Sequence, residues 1–212
     1  MIELFGADYS VYVRSVRLAL LEKGVDYRLV PIDVFALGGP PEEHLERHPF
    51  GKIPAFRHDD FSLYETVAIL RYIDEAFAGL SLQPETPKLR ARMTQILSVL
   101  NTYAYRTLVW DIYVERVVKP GEDGSADEVK IASALGEARK IIAALEALTM
   151  SGPFLIGDQL TLADCHAAPM LNLFAASEEG TMLLEAAPRL SNWLTDFRTR
   201  ESFLATQPVG TA

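Results

Sequence analysis

Short apolar runs alternate with helical patterns at the start of the chain. Residues 2–5 form an apolar run that ends at Gly6, which is typical of a buried strand. Apolar side chains recur at helical spacing over residues 12–23, and Gly24 follows where a helix is often terminated. Residues 27–32 predict a second strand. The order strand, helix, strand indicates a parallel βαβ unit.

The pattern then predicts a hairpin and another helix. A stretch broken by Gly and Pro leads into a short helix at about 42–47. Residues 53–57 and 61–63 predict two paired strands, and residues 65–77 carry apolar side chains along one helical face. The order βαβ followed by ββα indicates a small α/β domain over residues 1–78.

Strand signals disappear beyond a linker at residues 79–87, which contains glycine and two prolines. The later helical patterns are at 88–118, 126–148, 161–176 and 191–203. The chain therefore predicts an α/β domain over 1–78, followed by an all-α helical domain over 88–212.

Composition and charge narrow the functional classes. Of the 212 residues, 49% are hydrophobic and 23% are charged, as in ordinary globular proteins. Twenty basic and 29 acidic residues give a net charge of −9 without a basic stripe, which argues against a nucleic-acid partner. No apolar run approaches the ~18–20 residues that span a bilayer, and no signal peptide is recognisable. We therefore expect a cytoplasmic protein without a membrane partner.

Metal and cysteine chemistry have little support in the sequence. The single cysteine, Cys165, excludes an internal disulfide, a CxxC redox pair and a multi-cysteine zinc site. The four histidines lack the spacing of known metal motifs, so we expect no metal site. Cys165 and His166 point ~100° apart on a predicted helix, which makes a Cys–His nucleophilic pair improbable.

Pro54 stands just before a predicted strand, where it removes a hydrogen-bond donor from the ladder. A cis peptide bond between Ile53 and Pro54 would turn the N–H and C=O of Ile53 outward, toward an extended peptide ligand. The alternative interpretation is an ordinary turn proline.

Glu65 and Thr66 open the next predicted helix. Unpaired N–H groups in the first turn, near Thr66, suit a carboxylate, and the negative charge of Glu65 suits an ammonium group. Together they would hold a zwitterionic α-amino acid group. The alternative for Glu65 is an acidic residue favoured by the helix macrodipole.

These features occur in one order over residues 49–72, which resemble the glutathione-binding segment of the cytosolic glutathione transferases, specifically their serine-type, theta/phi-like branch. In that family the strand after a cis-proline pairs with the cysteinyl backbone of glutathione. The resemblance therefore implies that Ile53 and Pro54 form the cysteinyl contact, and that Glu65 and Thr66 hold the γ-glutamyl end.

The resemblance extends across essentially the whole chain. It implies that residues 1–78 form a thioredoxin-like glutathione-binding domain. Some serine-type members use a basic or histidine residue for the glycine end of glutathione, and residues 35–41 contain none. That contact is therefore either missing or supplied from elsewhere, with Lys52 as the candidate. Residues 154–164 resemble the segment that opens the core helix of the second domain. There Thr161 and Asp164 predict a capping box, which makes Asp164 structural rather than catalytic.

Ser10 is the candidate catalytic residue. The run Val-Arg-Leu-Ala-Leu at residues 16–20 resembles the first helix of serine-type members and places Ser10 where they carry their catalytic hydroxyl. The nucleophile would be the thiol of glutathione itself, whose pKa of about 8.5 must be lowered by a donor or a positive potential. Tyr9 and Tyr12 are competing donors, because tyrosine has this role in other branches. A helix cap is the structural alternative for Ser10.

The resemblance also implies a pocket for a second, electrophilic substrate between the two domains. The candidates for this pocket are Tyr12, Tyr103, Arg106 and Trp110. Aromatic residues at helical spacing are more often part of a core, which is the alternative interpretation.

The resemblance implies a dimeric glutathione transferase of detoxification that adds the glutathione thiolate to an electrophilic or hydroperoxide substrate. Glutathione is its co-substrate, and no tightly bound cofactor is implied. Phe50 is predicted to be exposed on the free subunit and buried by a partner in the homodimer, as an aromatic residue is in tyrosine-type relatives. The alternative is the flatter contact that serine-type relatives often use. The alternative function is a non-catalytic interaction module of the same fold, which the presence of Ser10 and Glu65 disfavours.

Overall fold

Four short strands form a mixed sheet near the start of the chain in the computed structural model, which describes residues 1–122 and 124–208. The strands are β1 Ile2–Phe5, β2 Arg28–Val30, β3 Ala55–His58 and β4 Phe61–Tyr64. Their spatial order is β2-β1-β3-β4, with β1 parallel to β2 and the other pairs antiparallel. The predicted βαβ unit and the predicted hairpin are both confirmed.

Three helices accompany this sheet: α1 Val11–Glu22, α2 Glu42–Arg47 and α3 Thr66–Ala76. Helix α1 ends before Gly24, whose φ of 66° is the left-handed conformation that terminates many helices. Helix α1 packs against α3. The buried amine of Lys23 joins the two, because it donates to the carbonyl oxygens of Asp74 at 2.9 Å and Leu80 at 3.1 Å.

A second compact unit, Gln83–Thr199, contains helices and none of the named strands within its described residues. Its helices are α4 Pro87–Val99, a π-helix Leu100–Val118 called π1 here, α5 Lys119–Glu122, α6 Glu128–Leu148, α7 Leu162–Phe174, α8 Glu178–Glu185 and α9 Pro188–Phe197. Helices α4, π1 and α5 run on without a break. The 19 residues of π1 are unusual, because π-helical hydrogen bonding rarely exceeds a single turn.

Two helices replace the single one predicted over residues 191–203. Helix α9 ends at Phe197, and α10, Glu201–Ala205, begins after a short interruption. Helix α8 was not predicted. It begins at Ser177, whose Oγ accepts a hydrogen bond from Gly180 N at 3.0 Å. Its eight residues cover little more than two turns, which is too short for a clear periodic signal.

Residues 200–208 belong to the same unit as Met1–Leu82, rather than to the helical domain predicted over 88–212. The buried Arg14 of α1 donates from Nη2 to the carbonyl oxygen of Phe203 at 2.9 Å, and its guanidinium lies 4.0 Å from the centre of that ring. Arg200 donates to both carboxylate oxygens of Glu22, at 2.8 and 2.7 Å. These contacts join residues that are 189 and 178 positions apart, which no local pattern reveals.

The predicted capping box at the start of α7 is confirmed. Asp164 is fully buried, and its carboxylate accepts hydrogen bonds from Thr161 N and Leu155 N, both at 2.8 Å, and from Trp193 Nε1 at 2.9 Å. Burial raises the pKa of Asp164, and these donors oppose that rise. The carboxylate therefore organises the start of α7, as the structural interpretation predicted.

Candidate active site

Three loops of the first unit emerge at the same end of the sheet. Phe5 at the end of β1 pairs with Ala55 at the start of β3, and Ala55 pairs with Tyr64 at the end of β4. Paired strands lie ~4.8 Å apart, so the loops after β1, before β3 and after β4 are neighbours. These loops carry the predicted catalytic and glutathione-binding residues Ser10, Lys52, Ile53, Pro54, Glu65 and Thr66.

A close approach at Gly6 joins the first two of these loops. A Cβ atom on Gly6 would overlap Val13 Cγ2 of α1 and lie 3.3 Å from Ile53 Cβ. Ile53 in turn packs against the buried cluster that contains Phe5 and Ala55. The loop that leads to Ser10 therefore lies against the loop that contains Ile53, and only glycine leaves room for this packing.

Ser10 is the N-cap of α1. Its backbone is extended, with φ −71° and ψ 125°, and its Oγ accepts a hydrogen bond from Val13 N at 3.4 Å. A hydroxyl has two lone pairs and one proton, so a capping serine can still donate its O–H to another acceptor. Capping and donation to a thiolate are therefore compatible roles for the same oxygen atom.

The two tyrosines that compete with Ser10 lie on either side of it. Tyr9 is partly exposed, and its ring stacks on Phe35 with the ring centres 6.4 Å apart. Tyr12 is half-buried in the first turn of α1. Both tyrosines therefore belong to the same loop–helix junction as Ser10.

The peptide bond between Ile53 and Pro54 is cis, as predicted. Pro54 is buried, Ile53 is half-buried, and the side chain of Lys52 is exposed. The carbonyl oxygen of Lys52 accepts a hydrogen bond from Nε2 of His44, a buried residue of α2, at 2.8 Å. Helix α2 thus holds the loop that precedes β3.

Glu65 adopts a left-handed backbone conformation with φ 73° and ψ 112°. Such a conformation costs a residue other than glycine ~1–3 kcal/mol, and it often occurs at functional sites. Glu65 is the N-cap of α3, but its exposed side chain makes no capping hydrogen bond. Thr66 is the buried first residue of that helix. A capping hydrogen bond therefore does not account for the acidic side chain at position 65. Its carboxylate lies next to the N-terminus of α3.

Sequence reasoning missed two histidines, His44 of α2 and His48, which directly follows that helix. Their ring centres lie 6.4 Å apart. The signal available in the sequence was their spacing of four residues, which places two side chains on the same face of a helix. His48 is buried, and its ring centre lies 4.9 Å from that of Tyr64, directly before Glu65. Burial lowers the pKa of His48, and the negative charge of Glu65 opposes this shift.

Phe50 is 69% exposed in the single chain, which agrees with the first half of its prediction. Its ring lies edge-on to Tyr64, with the ring centres 6.2 Å apart. An exposed aromatic cluster of Phe50 and Tyr64 therefore lies directly beside Glu65. Burial of Phe50 by a second subunit stays a prediction.

The candidates for the second-substrate pocket belong to both units. Tyr12 lies on α1, whereas Tyr103, Arg106 and Trp110 lie on π1. Tyr103 is exposed, Trp110 is half-buried, and Arg106 donates from Nε to Asp111 Oδ1 at 2.9 Å. The three π1 residues therefore differ in their exposure, and Arg106 has an ionic partner.

Two further features of the described residues contain none of the predicted site residues. A cavity of about 160 Å³ in the second unit is lined by residues that include Gly152, Arg189 and Asp196. In α7, His166 donates from Nε2 to Asn101 Oδ1 at 2.8 Å, and burial lowers the pKa of His166 to about 4. Residues 1–122 and 124–208 contain no cluster of three His, Cys, Asp or Glu side chains that could hold a metal ion. Over the same residues, no helix is long and apolar enough to cross a bilayer.

Two protein-family models match the chain. The model described as the N-terminal domain of glutathione S-transferase matches residues 4–81, and the model of the C-terminal domain matches residues 124–196. Glutathione S-transferase F13 of Arabidopsis thaliana is 30% identical over 209 residues, which cover 97% of this chain and 94% of that protein.

Solved structures agree with this match. Glutathione transferase F7 of Populus trichocarpa superposes with a TM-score of 0.83 at 29% identity, and the match covers 97% of each chain. A glutathione S-transferase-I bound to lactoylglutathione superposes with a TM-score of 0.81 at 27% identity, again over 97% of each chain. The likeness therefore covers the sheet, the helical unit and the three site loops together.

Proposed function

The chain belongs to the cytosolic glutathione S-transferase family, and from this membership we propose that it adds the thiolate of glutathione to an electrophilic carbon or a hydroperoxide. The observation that carries the proposal is that three neighbouring loops at one end of the sheet carry Ser10, Ile53 and Glu65. An enzyme of this kind works in detoxification, in the cytoplasm. Glutathione is a co-substrate, and the proposal includes no tightly bound cofactor.

In this proposal, glutathione lies across the three loops as an extended peptide. Its cysteinyl unit pairs with the backbone of Ile53, as a short additional strand would. Its γ-glutamyl ammonium contacts Glu65, and its α-carboxylate accepts hydrogen bonds at the start of α3, where Thr66 begins the helix. Lys52, which is exposed beside Ile53, is the proposed partner of the glycine carboxylate.

The thiol of glutathione must lose its proton to become a nucleophile. Ser10 donates its hydroxyl proton in a hydrogen bond to the sulfur, which favours the charged thiolate and lowers the thiol pKa. The N-terminus of α1 adds positive potential at the same place, because Ser10 is the N-cap of that helix. Tyr12, Tyr103, Arg106 and Trp110 are the proposed contacts of the second substrate.

Retention on glutathione-agarose followed by an activity panel tests this function. We expect the protein to bind the resin, to elute with free glutathione, and to react with at least one class among aryl halides, epoxides, enones and hydroperoxides. A non-catalytic interaction module that has lost the glutathione contacts would wash through the resin. A protein that binds glutathione but transforms none of the four classes would contradict the proposed catalysis.

A further proposal concerns assembly into a homodimer. Phe50 projects from the loop beside the site, and an exposed aromatic residue at this position in tyrosine-type relatives inserts into the neighbouring subunit. We expect Phe50→Ala to weaken the dimer about tenfold or more, because buried aromatic anchors contribute heavily to interfaces. Sedimentation velocity over a range of concentrations measures the shift toward monomer.

The matched control for this prediction is Phe61→Ala. Phe61 is also an exposed aromatic residue of the first unit, at 45% exposure, but it lies at the opposite end of the hairpin and packs on Tyr72. An unchanged dimer in Phe50→Ala would contradict the contact, and so would equal weakening by both variants.

A further inference from the structure

We propose that His48 is a positioning residue for the γ-glutamyl end of glutathione, because its imidazole packs on Tyr64 and helps to hold Glu65. When the imidazole is protonated, its positive charge disfavours binding of the ammonium group that Glu65 holds. The inference rests on the proposed function and adds a proton linkage to it. Acid then weakens glutathione binding through a residue that does not itself touch the ligand.

The backbone of His48 is fixed on both sides. Its N–H donates to the carbonyl oxygen of His44 at 2.8 Å, and its own carbonyl oxygen accepts from Gly51 N at 2.8 Å. The imidazole is therefore held between the end of α2 and the turn that leads to Ile53. Its ring centre lies 4.9 Å from that of Tyr64.

Tyr64 links the ring of His48 to Glu65, whose backbone conformation is strained. Tyr64 pairs with Ala55 in the sheet, and the next residue, Glu65, has a φ of 73°. A left-handed glutamate persists only where its neighbours hold the backbone, and Thr66 is already fixed in the first turn of α3. The ring of His48 packs on the other flank, so it helps to hold the direction in which the Glu65 carboxylate points.

The surroundings of His48 are poorly suited to an additional charge. The residue is only 3% exposed, and its buried Nδ1 has no hydrogen-bond partner within residues 1–122 and 124–208. The charged or titratable groups that face it are His44 from α2, Lys52 from the loop before β3, Tyr64 from the end of β4, and Glu65 from the start of α3. Burial, His44 and Lys52 all lower the pKa of His48, and Glu65 is the one charged side chain that raises it.

The sign of the linkage follows from the role of Glu65. The bound γ-glutamyl group brings two charges: its α-carboxylate is compensated by the N–H groups at the start of α3, whereas its ammonium group compensates the negative charge of Glu65. Because that negative charge favours protonated His48, the pKa of His48 is lower in the complex than in the unliganded protein. The complex therefore binds fewer protons, and affinity falls as the pH drops through the pKa of His48 in the unliganded protein, below 6.5. Because Glu65 is exposed and screened by water, and because the pKa of His48 lies below 6.5, we expect a modest weakening of about two- to threefold between about pH 7.5 and about pH 5.5.

Calorimetry with S-methylglutathione tests the linkage, because this probe has no ionisable thiol. The dissociation constant is measured at about pH 7.5 and about pH 5.5, near and below the reference pKa of histidine. Two buffers of different ionisation enthalpy then report the number of protons released. For the unmodified protein we expect the weakening given above, together with proton release at the lower pH.

The variants His48→Phe and His48→Asn separate the charge from the packing. Phenylalanine keeps an aromatic ring against Tyr64, and asparagine provides a second non-titrating variant if the first does not fold. Both should bind S-methylglutathione with the same affinity at the two pH values. The matched control is His58→Asn, because His58 belongs to the same unit but bonds Tyr72 Oη through Nδ1 at 2.9 Å. It should keep the full pH dependence.

The possible results distinguish this inference from the function on which it rests. Retention of the pH dependence in both His48 variants would overturn the inference, as would equal affinity at the two pH values in the unmodified protein. In both of those cases the proposed glutathione binding stands. Absence of S-methylglutathione binding at either pH would overturn the proposed function together with the linkage.

Discussion

Replacement of Ser10 by alanine should lower kcat/KM about ten- to hundredfold, because it removes a hydrogen bond worth ~1.5–3 kcal/mol to a charged group. The same substitution should raise the pKa of the thiol of bound glutathione. It should leave the dissociation constant at low pH almost unchanged, since the neutral thiol gains little from the donor. Enzyme kinetics and titration of the thiolate absorbance measure these effects separately.

Tyr12→Phe is the decisive comparison for Ser10, because it removes the competing hydroxyl from the same helical turn. The Ser10 variant also loses the N-cap of α1, whose Oγ accepts from Val13 N, so a fall in stability of about 1 kcal/mol should accompany it. If only Tyr12→Phe shifts the thiol titration, Ser10 is solely a helix cap and its catalytic assignment fails.

Replacement of Glu65 by alanine should weaken glutathione binding by roughly 1.5–3 kcal/mol, because it removes a charge-assisted contact to the ammonium group. Glu65→Gln should lose much of the same affinity, since it removes the charge while keeping the length of the side chain. The left-handed backbone at this position is equally unfavourable for glutamate, glutamine and alanine, so strain does not confuse the comparison. Calorimetric titration with glutathione gives the dissociation constants.

Glu75→Ala is the matched control for Glu65, because it removes an exposed carboxylate from the other end of α3, where Glu75 pairs with Arg71. This variant should bind glutathione as the unmodified protein does. An unchanged dissociation constant for both Glu65 variants would reduce Glu65 to a favourable charge at a helix N-terminus.

Much of the first unit follows from local sequence. The alternation of apolar runs predicts β1 and the hairpin, and the 3.6-residue period predicts α1 and α3. Gly24 correctly predicts the end of α1, and in the second unit the Thr161–Asp164 pair correctly predicts the start of α7. Both predictions succeed because helix caps depend on residues within one turn. Features that depend on near neighbours were therefore predictable.

The remaining features depend on distant parts of the chain. Helix α10 packs on α1 through contacts such as that of Arg14 with Phe203, which lie far apart in the sequence. The π-helical hydrogen bonding of π1 was unpredictable for another reason, because it has no periodic signature in the sequence. The candidate site shows the same division. Motifs pointed to Ser10 and Glu65, but the role inferred for His48 needed the fold, which brings its ring against Tyr64.

The most direct test of the central claim is a titration of the thiol of glutathione bound to the unmodified protein. The account predicts saturable binding and a thiolate absorbance that titrates about one unit or more below the ~8.5 of a free thiol. Bound glutathione that titrates like free glutathione, or no saturable binding, would contradict the claim that this site binds glutathione and ionises its thiol.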